Sequence, residues 1–202
     1  MAKSTLIKPL ADYVVAIGGS AGSLEVVMDI LPYCSNDFNV AIIIILHRKP
    51  TYESQLVAIL ADKTSMTVKE AEEKELLEKG VYVVPADYHL LIEPDGSFTL
   101  DDSEKVHYSR PSIDVTFECV ADVFKGKAIA ILLSGANADG VAGLKAIKQN
   151  GGLCIVQNPV SAEINYMPQQ AINSGSVDMI LNGKDIGAFL NDKFSAHIRK
   201  NA

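Results

Sequence analysis

The sequence predicts an α/β protein: a doubly wound, mostly parallel sheet with helices on both faces and a β-hairpin insertion. Three observations predict it. Short apolar runs alternate with helix-period segments in both halves of the chain. The run Val40–Leu46 holds four consecutive isoleucines, the pattern of a central strand buried on both faces. Asp95-Gly96 is a turn dipeptide between two short apolar stretches, Leu90–Ile92 and Phe98–Leu100, which marks the hairpin.

Tyr13–Gly18 reads as the first strand. Leu24, Val27, Met28 and Leu31 then recur at helical spacing from Ser23 onward, and Pro32 closes that helix. Val40–Leu46 is the second strand, and Leu56, Ile59 and Leu60 form the stripe of a second helix. Val81–Val84 is a further short strand ahead of the hairpin, and Asp101 to Arg110 is polar and reads as a loop. Pro111–Phe124 is expected to be helical with proline in its first turn. Ala128–Leu133 is a strand, Val141–Gln149 a helix and Leu153–Val156 a strand. Pro168–Asn173 and Asp185–Leu190 are short helices. No repeat and no Pro/Gly/Ser linker divides the chain, so residues 1–202 are expected to form one domain with its core at about 13–190.

The 202 residues carry a net charge of −7, so no basic face and no nucleic-acid partner is expected. Cys34, Cys119 and Cys154 are scattered, which suggests reduced thiols in a cytoplasmic protein rather than a metal site. The N-terminus lacks the apolar core of a signal peptide, and Val40–Leu46 is too short to span a bilayer, so no membrane insertion is expected.

On a parallel sheet, ligands sit beyond the carboxyl ends of the strands, so residues directly after strands are the candidates. Gly18-Gly19-Ser20-Ala21-Gly22 follows the first strand and matches the G-x-S-x-G elbow, which exposes a serine hydroxyl for acyl transfer. The competing reading of Ser20 is a small residue in a tight loop that caps the helix or binds phosphate. His47 follows the isoleucine strand at the same edge and suits a general base; otherwise it is a solvent-exposed histidine. Asp139, after the strand Ala128–Leu133, can orient that imidazole, or it can simply cap the next helix, with Asn137 competing for the polar role. The backbone amides of Ala21 and Ala136 stand where an oxyanion hole would form. Arg48 and Arg110 are candidate substrate-binding cations near this edge; Lys49 reads as solvated surface charge. His89, His107 and His197 read as surface or loop residues. Cys119 and Cys154 fall inside elements and read as small hydrophobes.

Several blocks in order resemble one family. They are Ile17-Gly18-Gly19-Ser20-Ala21-Gly22, Leu46-His47, Gly80 to Leu90, Ser109-Arg110-Pro111-Ser112-Ile113-Asp114, Ser134-Gly135 through Asp139-Gly140, and Tyr166-Met167-Pro168 with Ala171. Together they are similar to the catalytic domain of the chemotaxis protein-glutamate methylesterases (CheB), across about Tyr13 to Leu190. The resemblance implies a triad of Ser20, His47 and Asp139 on a doubly wound sheet. It implies hydrolysis of glutamyl methyl esters on chemoreceptor cytoplasmic helices, with glutamine deamidation in some members, and no metal or organic cofactor. Threonine and a second glycine are usual in the family where Ala21 and Ser23 stand, and methionine where Ala136 stands. The first strand begins near residue 13 with no receiver domain before it, so activity that is constitutive or set by a separate partner, such as a response regulator, is the expectation. Two other readings stand beside this one. The first is a catalytically weak module that binds a receptor or a methyltransferase. The second is a nucleotide- or phosphate-binding domain, which lacks the full G-x-G-x-x-G spacing because Ser20 occupies the second glycine position.

Overall fold

A computed structural model describes residues 11–49 and 55–201, with side chains described as far as Ser195. In chain order the elements are β1 (Tyr13–Gly19), α1 (Ser23–Ile30), β2 (Val40–Leu46), α2 (Leu56–Ala61), β3 (Val68–Glu70), β4 (Gly80–Val83), β5 (His89–Ile92), β6 (Phe98–Asp101), α3 (Ile113–Phe124), β7 (Ala128–Leu132), α4 (Val141–Gln149), β8 (Leu153–Gln157), α5 (Tyr166–Asn173), β9 (Met179–Leu181) and α6 (Gly183–Asn201). Seven strands pair in parallel in the order β3-β4-β2-β1-β7-β8-β9, and β5 and β6 form a separate antiparallel hairpin.

The period-two alternation of side chains splits the core in two. Val14 and Ala16 of β1 and Ile43 and Ile45 of β2 face a cluster that includes Ile113, Phe117, Leu144 and Met167, contributed by α3, α4 and α5. Val15, Ile17, Ile42 and Ile44 face the opposite cluster, with Val27, Leu60, Ile186 and Leu190 from α1, α2 and α6. All seven residues of β2 are buried, as a strand between two neighbours and two helical layers must be.

The fold differs from the sequence expectation at several ends. Strands β3 and β9 were not among the expected elements. They are three-residue edge strands of intermediate or full exposure; β3 reads Val-Lys-Glu with one apolar residue, and β9 reads Met-Ile-Leu, apolar but too short to show a period. Pro111 lies outside its helix: Ser112 is the cap of α3, its hydroxyl accepting from Val115 N at 3.5 Å, and the helix starts at Ile113. α1 ends at Ile30, just ahead of Pro32, and a short 3-10 turn, Leu31–Tyr33, follows it. The last helix runs from Gly183 to Asn201, well past the expected Leu190.

Candidate active site

Strand β1 lies between β2 and β7, so the loops after these three strands meet at one edge of the sheet. Gly19 is in register with Leu46, and His47 N donates to Gly19 O at 3.1 Å. Ser20 N donates to Ser134 O at 2.9 Å on the other side. The hydroxyl of Ser134 lies 2.7 Å from Ala21 O and 3.1 Å from Ile164 O, while Ile164 N donates back to it at 2.9 Å. Ser20 is thereby held, half-buried, between His47 and the loop after β7. Gly22 has φ +75°, a left-handed conformation that glycine adopts without strain, and it turns the chain sharply into α1. A Cβ on Gly135 would sit 3.1 Å from Ser20 Cβ and 2.5 Å from Met167 Cε, so only glycine lets this loop approach the serine.

Asp139 is fully buried, and every bond to its carboxylate is short. Oδ2 accepts from His47 Nε2 at 2.8 Å and from Ile113 N at 2.8 Å. Oδ1 accepts from Ser112 Oγ at 2.9 Å and from Asp114 N at 2.9 Å. The helix-cap reading of Asp139 on its own loop does not hold: Gly140 occupies the cap position of α4. The carboxylate instead crosses to the amides at the start of α3, where the helix dipole favours an anion. Burial alone would raise the Asp139 pKa, but the His47 hydrogen bond and the Asp114 and Ile113 amides outweigh it and hold the carboxyl below its ordinary value. Asn137 plays a local part, its Oδ1 accepting from Asp139 N at 3.2 Å.

His47 is 9% exposed, with Nε2 committed to Asp139. Its other nitrogen, Nδ1, lies 3.3 Å from Ser109 Oγ. Among the described residues, Ser20 and His47 make no direct hydrogen bond, and the amides of Ala21 and Ala136 have no acceptor. Ser109 and Ser112 escaped the sequence reading because each contact joins residues far apart in the chain; only the shared Ser109–Asp114 block hinted at them.

Arg48 and Arg110 are drawn into ties within the fold. Arg48 Nη2 donates to Glu70 Oε1 at 2.6 Å. Arg110 donates from Nε and Nη2 to Asp87 Oδ1 and from Nη1 to the carbonyls of Asp102 and Ser103. Both line a cleft of about 290 Å³ that opens beside His47. The surface reading of His89 is overturned: it is 1% exposed, with Nδ1 accepting from Ser112 N at 3.0 Å and Nε2 3.1 Å from Glu104 O. An alternating strand of the hairpin turns that imidazole inward, where the two backbone groups satisfy it. His107 is exposed and pairs with Asp114 at 3.4 Å, and the side chain of His197 falls outside the described residues. Burial pushes the thiols of Cys34 and Cys154 up to about 12, which leaves no thiolate for nucleophilic work. Among the described residues, no group of three or more His, Cys, Asp or Glu is arranged to hold a metal ion, and no helix is long and apolar enough to cross a membrane.

A family model described as CheB methylesterase matches residues 15–190. The chain belongs to the CheB methylesterase family. A Leptospira interrogans relative is 46% identical over 169 residues, 83% of this chain and 88% of that one. A Thermotoga maritima protein-glutamate methylesterase/protein-glutamine glutaminase is 32% identical over 186 residues, 90% of this chain but 54% of that one. The chain thus spans about half the length of this second member of the family. The crystal structure of the Thermotoga maritima CheB methylesterase catalytic domain superposes with a TM-score of 0.85 at 32% identity, covering 89% of this chain and 97% of that one. The parallel sheet with its small hairpin is the CheB catalytic-domain fold.

Proposed function

We propose that the protein is a serine esterase that removes methyl groups from protein glutamyl methyl esters, with Ser20 as nucleophile, His47 as base and Asp139 as its orienting anion. One observation carries this reading: the 2.8 Å bond from His47 Nε2 to a fully buried Asp139, at the strand edge where Ser20 stands in the elbow. Because Nε2 is taken, Nδ1 is the nitrogen that accepts the Ser20 proton. Ser20 Oγ attacks the ester carbonyl carbon, and the carbonyl electron pair moves onto oxygen. The unengaged amides of Ala21 and Ala136 hold that oxyanion; one such donor is worth about 10²–10³-fold in rate. Collapse of the tetrahedral species breaks the bond to methoxide, which leaves with the proton from His47 as methanol. Water, deprotonated by the same nitrogen, then hydrolyses the acyl-enzyme. The same sequence on a glutamine side chain would release ammonia. The resemblance to CheB favours methylated chemoreceptor helices in the cytoplasm as substrate, and a methyltransferase or separate response regulator as further partners.

Ser109 presents a second candidate hydroxyl, because it is the one in contact with Nδ1. Ser20 is preferred since it stands in the G-x-S-x-G elbow and is followed by the Ala21 amide, which has no acceptor among the described residues, whereas Ser109 N is bonded to Val106 O. Methanol release from methylated receptor membranes tests both. Ser20→Ala should lose roughly 10⁴-fold or more, while Ser109→Ala keeps activity within about tenfold. Near-full turnover by Ser20→Ala would end the assignment, and binding without any methanol release from the unaltered protein would leave the receptor-binding module in its place.

A further inference from the structure

The cleft beside His47 is lined by four cations, Arg48, Lys49, Lys105 and Arg110, in a chain whose net charge is −7. Its one lining acid, Asp87, is bound by Arg110 at 2.9 Å. Arg48 is paired with Glu70, and Arg110 ties Asp87 to the 102–103 carbonyls, so both guanidinium groups serve the fold. Lys49 and Lys105 are exposed and make no ion pair among the described residues.

At the rim, His107 and Tyr108 form a two-residue turn closed by reciprocal bonds, Val106 N to Ser109 O at 3.2 Å and Ser109 N to Val106 O at 2.9 Å. Both turn residues are left-handed, with φ 51° and 62°, where glycine or asparagine is the unstrained choice. The outcome of that strain is a tyrosine 98% exposed at the mouth of the cleft. The turn is pinned by Arg110 on the 102–103 carbonyls, by His107 on Asp114, and by Ser109 on His47. A large aromatic ring presented on a pinned turn supplies contact area at low entropic cost.

We propose that Lys49, Lys105 and Tyr108 form a recognition surface for an acidic peptide segment, with carboxylates flanking the ester that enters beside His47. The proposal rests on the esterase reading for the identity of the reacting group. Ammonium groups without an ion pair at the rim of a cleft attract carboxylates, and this attraction weakens as salt screens it. Lys49 is thus part of the site rather than general surface charge.

The test compares two peptides that share one glutamyl methyl ester, one flanked by Glu and one by Gln. Binding by fluorescence anisotropy and methanol release are measured separately, at low and at high salt. The expected result is tighter binding of the Glu-flanked peptide, by tenfold or more at low salt on the order expected of a few charge contacts. That preference should shrink with salt and vanish in Lys49→Ala/Lys105→Ala. Tyr108→Ala should weaken binding of both peptides. Equal binding of the two peptides, or a preference that survives in the double lysine variant, overturns the proposal. Preferential binding without methanol release overturns the esterase reading and leaves the surface standing; methanol release without preference does the reverse.

Discussion

Asp139 does two things at once: it anchors His47 and it accepts the first amides of α3. Replacement by asparagine keeps the shape but turns one acceptor into a donor that must face another donor. Asp139→Asn is expected to lower kcat by roughly 10³–10⁴-fold, as losing the orienting anion of a triad does, and to lower Tm as well. The two losses are read by steady-state kinetics and calorimetry. Its neighbour Asp114 behaves oppositely under acid. Burial raises its pKa to about 6, against the pull of Gly143 N, with the Asp139 charge adding to the rise. A carboxyl whose folded pKa is raised contributes stability that is complete below its ordinary 3.8 and is lost as pH climbs to about 6. Asp139, held low, contributes stability above its ordinary value that is lost only as pH falls through its folded pKa. The stability difference between the unaltered protein and Asp114→Asn should therefore fall across that window and stay flat above it, as urea melts at a series of pH values would measure. A flat difference throughout would mean that Asp114 titrates normally.

Helix α3 packs tightly on strand β1 where its first residue meets Gly18. A Cβ added to Gly18 would lie 2.4 Å from Ile113 Cγ2, and Ile113 N is one of the donors to Asp139. Gly18→Ala must push the start of α3 away from the strand. It is expected to cost about 1–3 kcal/mol, typical of overpacking, and to lower kcat more than it raises KM, because the displaced amide loosens Asp139. Gly126→Ala is the control. Its added Cβ meets only Gly151 O at 3.6 Å, so Tm and kcat should barely move.

Across the whole sheet, two helical layers bury both faces, and neighbouring residues of one strand serve different cores. Ile43 and Ile44 are each fully buried, on opposite faces. Ile43→Ala and Ile44→Ala should each cost about 2–5 kcal/mol in denaturant melts, and cost alike. In a sheet with one wet face, the same two adjacent positions would differ severalfold.

The apolar runs, the helical stripes and the Asp95-Gly96 turn announced the layered α/β fold, because burial on two faces writes itself into local pattern. The loops that follow β1, β2 and β7 were equally legible, and with them Ser20, His47 and Asp139 as neighbours at one edge. The edge strands β3 and β9 were not legible, since three residues are too few to show a period. Nor was the burial of His89, the grip of Asp139 on α3, the contact of Ser109 with His47, or the engagement of Arg48 and Arg110. Each of these turns on at least one bond between residues 22 or more apart, and such a bond leaves no periodic trace in the chain that makes it.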